Sequence, residues 1–356
     1  MNKKVVVGLS GGVDSSVAAY LLKKEGYVVI GVTMDTCQEL PGEDGWKAGS
    51  QAAIADAKRV AEHLGIPHYV ADFKAEFKCH VMDYFVEEYL RGRTPNPCVV
   101  CNRYVKWEAL LDWAKEMGAD YIATGHYARI DKLENGRYAI RNSVTAMKDQ
   151  TYALYNLTQE QLSFTMMPVG AYTKDEIRSI ASEAGIPVAE KSDSQDICFI
   201  PDDDYVGFLN RRVPERMPGE GNFIDKEGKV LGKHKGVTNY TIGQRKGLGI
   251  AMGHPVFVTE LRPETNEVVI GENEDVFTDE VICDRVNFMS IVDLTEPRRV
   301  LAKIRYNHKG DYCTIEKMED GRVKCSFEVP VRASSPGQAV VFYDGEYVLG
   351  GGTIVK

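Results

Sequence analysis

A short apolar run followed by a loop rich in glycine and serine constrains the fold of this chain more than any other feature. The β-branched run Val5–Val7 predicts a strand. It leads into residues that predict a tight loop and the start of a helix, namely Gly8, Leu9, Ser10, Gly11, Gly12, Val13, Asp14 and Ser15. Glycines let the backbone approach an anion closely, and the unpaired N–H groups of a helix N-terminus attract phosphate. The pattern therefore predicts a strand, a phosphate-binding loop and a helix.

The loop differs from two common nucleotide-binding motifs. It lacks the Gly-Lys-Ser/Thr of a Walker A loop, and it does not follow the Gly-x-Gly-x-x-Gly pattern of dinucleotide-binding folds. Its acidic residue, Asp14, is suited to holding Mg²⁺ beside bound phosphates. A serine-rich turn that only capped a helix would need neither the paired glycines nor this acid. We therefore interpret the loop as a phosphate site for a nucleotide.

Length, charge and cysteine content narrow the class of protein. A chain of 356 residues predicts two or three domains. No apolar run has the length of a membrane span and no signal peptide is recognised, so we expect a cytoplasmic protein with no membrane partner. Eight cysteines in such a chain favour reactive thiols or metal binding over structural disulfides. The net charge of −9 argues weakly against a nucleic-acid partner, although basic pairs are concentrated after residue 210.

The predicted pattern of secondary structure changes twice along the chain. Strands and helices alternate from residue 1 to about 200, which predicts an α/β domain with a parallel sheet and helices on both faces. Ligands of such sheets lie at the carboxyl ends of the strands, where we expect Met34, Gly125 and His126 to meet the glycine-rich loop. Residues 201–275 form a glycine-punctuated middle segment. From 276 to 356, short alternating strands predict a small antiparallel barrel or sandwich.

Two distant cysteine segments carry the second chemical signal. Prolines around Asn96 give a rigid entry to the pair Cys98 and Cys101, which has the spacing of half a zinc site, of a redox pair or of a nucleophile whose partner lies elsewhere. Cys198 lies in a polar segment that we predict to be a loop entering a short strand. A lone cysteine among apolar neighbours is usually a small buried side chain. A thiolate able to meet Cys101 would instead suit thiol–disulfide or persulfide chemistry.

Six sequence blocks, taken in order, resemble one family. They are GLSGGVDSS, GRTPNPCxxCN, ATGHYAR, KDQTYALY, SDSQDICFI and NYTIGQRKGLGI. The first block resembles the signature of the N-type ATP pyrophosphatases, the PP-loop superfamily. Together, over essentially the whole chain, the blocks resemble the bacterial tRNA-specific 2-thiouridylases. The resemblance implies a PP-loop catalytic domain over residues 1–200, a central domain over 201–275 and a C-terminal tRNA-binding β-barrel over 276–356.

The resemblance also implies a reaction. Members of that family use ATP to adenylate the C2 oxygen of the wobble uridine of tRNA and then replace this oxygen with sulfur, releasing AMP and pyrophosphate. By this likeness, Cys198 carries a persulfide, and Cys101 is the nucleophile that forms a disulfide with Cys198 or attacks the activated base. The implied partners are ATP with Mg²⁺, tRNAs with lysine, glutamate or glutamine anticodons, and a cysteine desulfurase or sulfur-relay protein as donor.

Further binding residues are implied by matching the family's motifs. The ATP-binding set is Gly8 to Ser15 together with Met34 and Gly125, and the target-base segment is Asn96, Pro97 and Cys98. The residues implied to contact tRNA are His126, Lys148, Asp149, Gln150, Arg305, Tyr306 and Gln338. Ordinary structural alternatives exist for these: a core histidine, a polar turn at 148–150 and a surface charge on the barrel.

Cys98 is a departure that leaves the chemistry open, because some family members have aspartate there, able to act as an acid or base. A persulfide route is favoured, and an iron–sulfur cluster on Cys98, Cys101 and Cys198 with one open iron is the alternative. Beyond this cluster and the Mg²⁺ that accompanies ATP, we expect no metal site. Two other functions are also considered. A PP-loop amidotransferase or ligase acting on a small metabolite would not require the thiols, and a non-catalytic tRNA-binding module would carry a vestigial loop.

Overall fold

The computed structural model describes residues 2–37, 44–192 and 197–356. In its first part the strands are β1 (Lys4–Gly8), β2 (Val28–Asp35), β3 (His68–Asp72), β4 (Tyr121–Ala123), β5 (Ala128–Lys132), β6 (Tyr138–Asn142) and β7 (Thr165–Met166). The helices there are α1 (Val13–Lys24), α2 (Asp44–Leu64), α3 (Lys74–Phe77), α4 (Tyr84–Leu90), α5 (Pro97–Val100), α6 (Leu110–Glu116), α7 (Gln159–Ser163) and α8 (Lys174–Glu183). Two π-helical segments, Lys78–Asp83 and Cys101–Ala109, join α3 to α4 and α5 to α6.

The first part is a parallel sheet covered on both faces. Its strand order is β3-β2-β1-β4-β7, and every neighbouring pair is parallel. The side chains of Val5, Val6 and Val7 are fully buried, and they alternate between two hydrophobic clusters. Because successive side chains of a strand point to opposite faces, this burial requires apolar helices on both sides. The predicted α/β domain is confirmed.

A small second sheet forms the middle of the chain. It follows α9 (Tyr205–Arg212), a helix that the sequence analysis did not predict. Its strands are β8 (Gly221–Ile224), β9 (Val230–His234), β10 (Phe257–Arg262) and β11 (Glu267–Gly271), in the order β10-β11-β8-β9. His234 belongs to a run of basic residues in the sequence, yet its side chain is buried against the rings of Phe223 and Tyr240.

The last part is a closed antiparallel barrel. Its strands are β12 (Phe277–Phe288), β13 (Arg298–Lys303), β14 (Asp311–Lys317), β15 (Val323–Arg332), β16 (Ala339–Asp344) and β17 (Tyr347–Ile354). They pair in the order β12-β15-β14-β13-β16-β17, and β17 pairs back with β12. Inward-facing apolar residues fill the interior. The predicted antiparallel β-structure is confirmed, and it is a barrel rather than an open sandwich.

A hairpin from the first part of the chain joins this barrel. Strands β5 and β6 are antiparallel, and β6 continues the barrel sheet through the pairing of Arg141 with Tyr347. The guanidinium group of Arg137 donates hydrogen bonds to the carbonyl oxygens of Met289 (2.9 Å) and Phe288 (3.1 Å). The turn at residues 133–137 therefore attaches the barrel to the first part of the chain.

The surroundings of Cys198 differ from the prediction in one respect. Residues 197–200 form a turn, in which the N–H of Ile200 donates to the carbonyl of Ile197 at 2.8 Å. The predicted short strand is wrong here, because this local hydrogen bond turns the backbone away from any sheet. The polar residues 193–196 lie outside the described residues. Over the part of the chain that the structure describes, no helix combines the length and apolar character needed to cross a membrane.

Candidate active site

The glycine-rich loop folds back on itself at the end of β1. The N–H of Ser10 donates to Oγ of Ser15 at 3.2 Å, and the hydroxyls of Ser15 and Ser16 donate to the carbonyl of Gly12 at 3.2 and 2.7 Å. Gly12 is the N-cap of α1, and no side chain caps this helix end. The positive end of the α1 dipole therefore remains available to an anion. This geometry fits the predicted phosphate site.

Two close backbone contacts of the loop require glycine, one at Gly11 within the loop and one at Gly125. Gly11 has a φ of +70°, and an added Cβ would lie 2.5 Å from the carbonyl oxygen of Ala53. Gly125, two residues after the end of β4, lies against the loop so closely that a Cβ would be 2.5 Å from the amide nitrogen of Ser15. Met34 lies at the carboxyl end of β2. The structure thus brings the predicted ATP-binding set to one edge of the sheet.

Two lysines that the sequence analysis missed flank this loop. Nζ of Lys174 donates to both carboxylate oxygens of Asp14, at 2.8 and 2.9 Å, and the hydroxyl of Tyr127 donates to the same carboxylate at 2.7 Å. Nζ of Lys191 donates to the carbonyl of Gly11 at 3.0 Å and to Asp56 at 2.7 Å. Long-range contacts of this kind leave no local signal in the sequence.

The Mg²⁺ role predicted for Asp14 meets a competitor in this arrangement. Its carboxylate is already paired with an ammonium group, so a cation there would have to displace Lys174 or share the carboxylate with it. Lys174 and Lys191 already place positive charge beside the phosphate loop. The magnesium assignment stays a prediction.

The two cysteines of the Cys-x-x-Cys pair lie on one continuous helical stretch. It runs from α5 through the segment Cys101–Ala109 into α6. Asn102 anchors the stretch by donating to the carbonyl of Ala153 at 2.9 Å, and the indole N–H of Trp107 donates to Oγ1 of Thr165 at 2.8 Å. Because these side chains point into the core, the positions of the neighbouring residues are fixed.

The three predicted site thiols belong to one neighbourhood. Cys98 and Cys198 are exposed and Cys101 is partly exposed. The protein packed around them nevertheless removes much of the water that would solvate a thiolate. Burial raises the pKa of Cys101 to about 11. Burial, followed by the negative charges of Cys101 and Cys98, raises the pKa of Cys198 to about 12. These mutual effects require proximity, so the structure brings Cys198 to the Cys-x-x-Cys pair.

The thiols do not form a metal-ligand set. Within residues 2–37, 44–192 and 197–356, no group of three or more His, Cys, Asp or Glu side chains is arranged to hold a metal ion. The iron–sulfur alternative and the zinc alternative for Cys98 and Cys101 therefore find no fit in this arrangement, and no chemical step is derived through either.

His126 connects the loop to the thiol-bearing helix. It follows Gly125, its Nδ1 lies 2.7 Å from Oγ1 of Thr124, and its ring lies 5.2 Å from that of Trp107. Burial, reinforced by the positive charge of Lys106, holds the pKa of His126 well below its ordinary value. The imidazole is therefore neutral at pH 7. Its predicted contact with tRNA stays a prediction.

Two other residues predicted to contact tRNA, Tyr306 and Gln338, lie near Cys98 or the segment before it. Tyr306 of the barrel part donates its hydroxyl to the carbonyl of Asp149 at 3.3 Å. Burial raises the pKa of Tyr306, and the charge of Cys98 adds to this rise, which places the phenol near that thiol. Nε2 of Gln338 donates to the carbonyl of Thr94 at 2.9 Å, immediately before the Asn96–Cys98 segment.

Three members of this set also have local structural contacts. The carboxylate of Asp149 accepts from the N–H groups of Ser143 (2.8 Å) and Thr151 (3.1 Å). Oε1 of Gln150 accepts from the N–H of Tyr127 at 2.9 Å. Arg305 donates to the carbonyl of Arg332 at 2.8 Å. The contacts of Asp149 and Gln150 are those of a polar turn, which is the structural alternative for residues 148–150.

Comparison with known proteins covers almost the entire chain. Residues 3–202 match the family described as tRNA methyl transferase HUP domain, residues 206–272 its PRC-barrel domain, and residues 278–354 the aminomethyltransferase beta-barrel domain. The tRNA-specific 2-thiouridylase MnmA of Lachnoclostridium phytofermentans is 60% identical, over 99% of this chain and 100% of that protein. The proteins of the same name from Clostridium acetobutylicum and Clostridioides difficile are 57% and 53% identical, over 99% and 100% of this chain and 100% and 99% of their own lengths.

Replacing Gly125 with alanine will weaken ATP binding by roughly tenfold or more, because the added Cβ forces the loop away from its present position. Isothermal titration with ATP measures the effect. The control is Gly49→Ala on exposed α2, where an added Cβ meets nothing within 4 Å. Wild-type affinity in Gly125→Ala would show that this contact does not shape the nucleotide site.

In the protein without tRNA, Cys101 and Cys198 will react slowly with iodoacetamide at neutral pH. A raised pKa lowers the thiolate fraction, so at pH 8 the rate for Cys101 should be roughly a hundredfold below that of an ordinary thiol. The rate should keep rising with pH and reach half of its limiting value near pH 11. Peptide-resolved mass spectrometry follows each cysteine, with glutathione as reference. A plateau below pH 9 would contradict the assignment.

Proposed function

Because the chain belongs to the tRNA-specific 2-thiouridylase family, we propose that it is a tRNA sulfurtransferase that converts the wobble uridine to 2-thiouridine. The supporting similarity extends over the PP-loop part, the central sheet and the barrel, at 60% identity to one relative of that name. ATP is the energy source in this proposal, AMP and pyrophosphate are products, and the thiols handle the sulfur.

The observation that carries the proposal is the placement of two reactive centres on either side of one dipeptide. Gly125 lies against the phosphate loop, and His126 contacts Trp107 of the thiol-bearing helix. An activated base bound beside this dipeptide would be near both the α-phosphate of ATP and the thiols. A phosphate loop alone would support many ATP-dependent reactions, whereas the adjacent thiols favour sulfur transfer.

In the first step, the C2 oxygen of uridine attacks the α-phosphorus of ATP and pyrophosphate leaves. The loop N–H groups and the α1 dipole stabilise the phosphate charge, and Lys174 and Lys191 lie where they can neutralise the departing pyrophosphate. Mg²⁺, when bound, would supply further neutralisation of the phosphates, with Asp14 as the ligand in the loop. Adenylation turns a poor leaving group into AMP.

In the second step, sulfur replaces that oxygen. The terminal sulfur of a Cys198 persulfide bonds to C2, the C2–O bond breaks, and AMP leaves. The Cys101 thiolate then attacks Sγ of Cys198, the sulfur–sulfur bond breaks, and its electron pair stays with the sulfur on C2 as the thiocarbonyl. The two thiols are oxidised to a Cys101–Cys198 disulfide while the transferred sulfur is reduced. An external thiol reductant and the sulfur donor restore the enzyme.

We place the tRNA along the central sheet and the barrel. Lys233, Lys235, Arg245 and Lys246 are exposed and form no ion pair in the described part of the chain. Arg298 and Arg299 are instead paired with carboxylates. Free cations of this kind attract the phosphate backbone. The proposed substrates are tRNAs with lysine, glutamate or glutamine anticodons, the donor is a cysteine desulfurase or relay protein, and the reaction takes place in the cytoplasm.

The proposal is tested by reconstitution with ATP, persulfide-loaded protein and unmodified tRNA. We expect 2-thiouridine by nucleoside mass spectrometry, and a loss of more than about 10³-fold in Cys198→Ser and Cys101→Ser. Both variants should retain ATP binding, because neither thiol lies in the loop. The control is Cys79→Ser, an exposed cysteine outside the thiol group.

Full thiolation by Cys198→Ser would overturn the persulfide route and return the ligase alternative to consideration. Absence of any ATP turnover with tRNA, in protein that binds both, would favour the non-catalytic binding module. AMP formation stimulated by tRNA separates these two outcomes.

A further inference from the structure

Lys106 is a cation close to the thiols with no assigned role. It is half-buried, between the fully buried Val105 and Trp107, on the π-helical segment. Within residues 2–37, 44–192 and 197–356, it forms no hydrogen bond or ion pair with any side chain or carbonyl. Its charge therefore has no carboxylate partner and remains available to the neighbouring thiols.

The π-helical segment places Lys106 in line with the thiols. Cys98 and Cys101 are three residues apart on a helix and share one face. In a π-helix the backbone bonds run between residues i and i+5, so Lys106 lies one turn above Cys101. In a continuous α-helix, the residue five positions on would point to a different side. The irregular turn therefore aligns two thiols and one ammonium group along the helix.

Groups from other elements complete the surroundings. Cys198 approaches from the turn at 197–200, His126 from the loop after β4, and Tyr306 from the loop after β13. Of these groups, the thiols become negative on deprotonation and His126 is neutral. The guanidinium of Arg103 is directed elsewhere and donates to Oε1 of Gln161 at 2.6 Å. Lys106 is thus the positive group that faces the sulfur atoms from this helix.

We propose that Lys106 is the electrostatic partner of anionic sulfur in this site, stabilising the Cys101 thiolate and the sulfur released from Cys198. The positive charge of Lys106 lowers the pKa of Cys98, Cys101 and Cys198 and so opposes the effect of burial on each. A fixed ammonium group favours every step in which negative charge moves from one sulfur to the next. The ammonium does not itself transfer a proton or an electron.

The test measures the pH dependence of Cys101 alkylation by iodoacetamide in the full chain without tRNA, between pH 8 and 11. In Lys106→Met the profile should move to higher pH, lowering the rate at pH 8 by about tenfold. Lys106→Arg should restore the rate to within about threefold of wild type, because it keeps the charge. The matched control is Lys115→Met on α6, whose ammonium pairs with Glu160 at 2.8 Å.

An alkylation profile for Lys106→Met that coincides with wild type would overturn the proposal. If Lys106→Met fails to fold, judged by circular dichroism and ATP binding, then Lys106→Gln and Lys106→Arg are compared. In that comparison, equal alkylation profiles for Lys106→Gln and Lys106→Arg overturn the proposal. A profile that lies at higher pH in Lys106→Gln than in Lys106→Arg supports it.

This inference rests on the proposed function, and the two can fail separately. Alkylation involves neither ATP nor tRNA, so an unshifted profile in an enzyme that thiolates tRNA removes only the role of Lys106. Loss of the thiolation role of Cys101 would leave a shifted alkylation profile intact.

Discussion

The contact of Gly125 with the amide of Ser15 is the constraint on which the arrangement of the site depends. It fixes the phosphate loop against the end of β4, at a distance that no residue with a side chain permits. The next residue, His126, lies against Trp107 and so fixes the thiol-bearing helix to the same strand end. Two adjacent residues, Gly125 and His126, therefore hold the phosphate loop and the thiol-bearing helix against the same strand end.

The chain after this dipeptide connects the site to the barrel. The hairpin of β5 and β6 starts two residues after His126 and ends by pairing with β17. From the barrel side, Tyr306 and Gln338 donate hydrogen bonds to the carbonyls of Asp149 and Thr94 in the first part of the chain. A substrate lying on the barrel would thus approach a site whose two halves are already held together. Sheet pairing between β6 and β17, rather than a flexible linker, connects the barrel to the part of the chain that carries the loop and the thiols.

Local patterns were sufficient to predict the parts of the fold that depend on local physics. The apolar run Val5–Val7 forms a strand, and the glycine-rich loop and the start of α1 follow it as expected. Long-range contacts were not predictable in this way. Neither the pairing of β6 with β17 nor the ion pair of Lys174 with Asp14 has a signature in its own segment.

The thiol site illustrates the same division. The spacing of Cys98 and Cys101 predicted a redox pair, half a zinc site or a nucleophile, but it did not predict the π-helical turn, whose residues Asn102 and Trp107 form hydrogen bonds with Ala153 and Thr165. The strand predicted at Cys198 was wrong, because a four-residue turn is too short to show a periodic sequence pattern that distinguishes it from a strand. Residue type indicated which chemistry to expect, and tertiary packing determined which groups surround it.

The most direct test of the central claim, that ATP activates the uridine beside the thiols, is the fate of the uridine C2 oxygen. A tRNA carrying ¹⁸O at C2 of the wobble uridine is thiolated in a single turnover, and the products are analysed by mass spectrometry. Adenylation followed by sulfur attack predicts one ¹⁸O atom in AMP and none in pyrophosphate. Thiolated tRNA with unlabelled AMP, and the isotope in water, would contradict it.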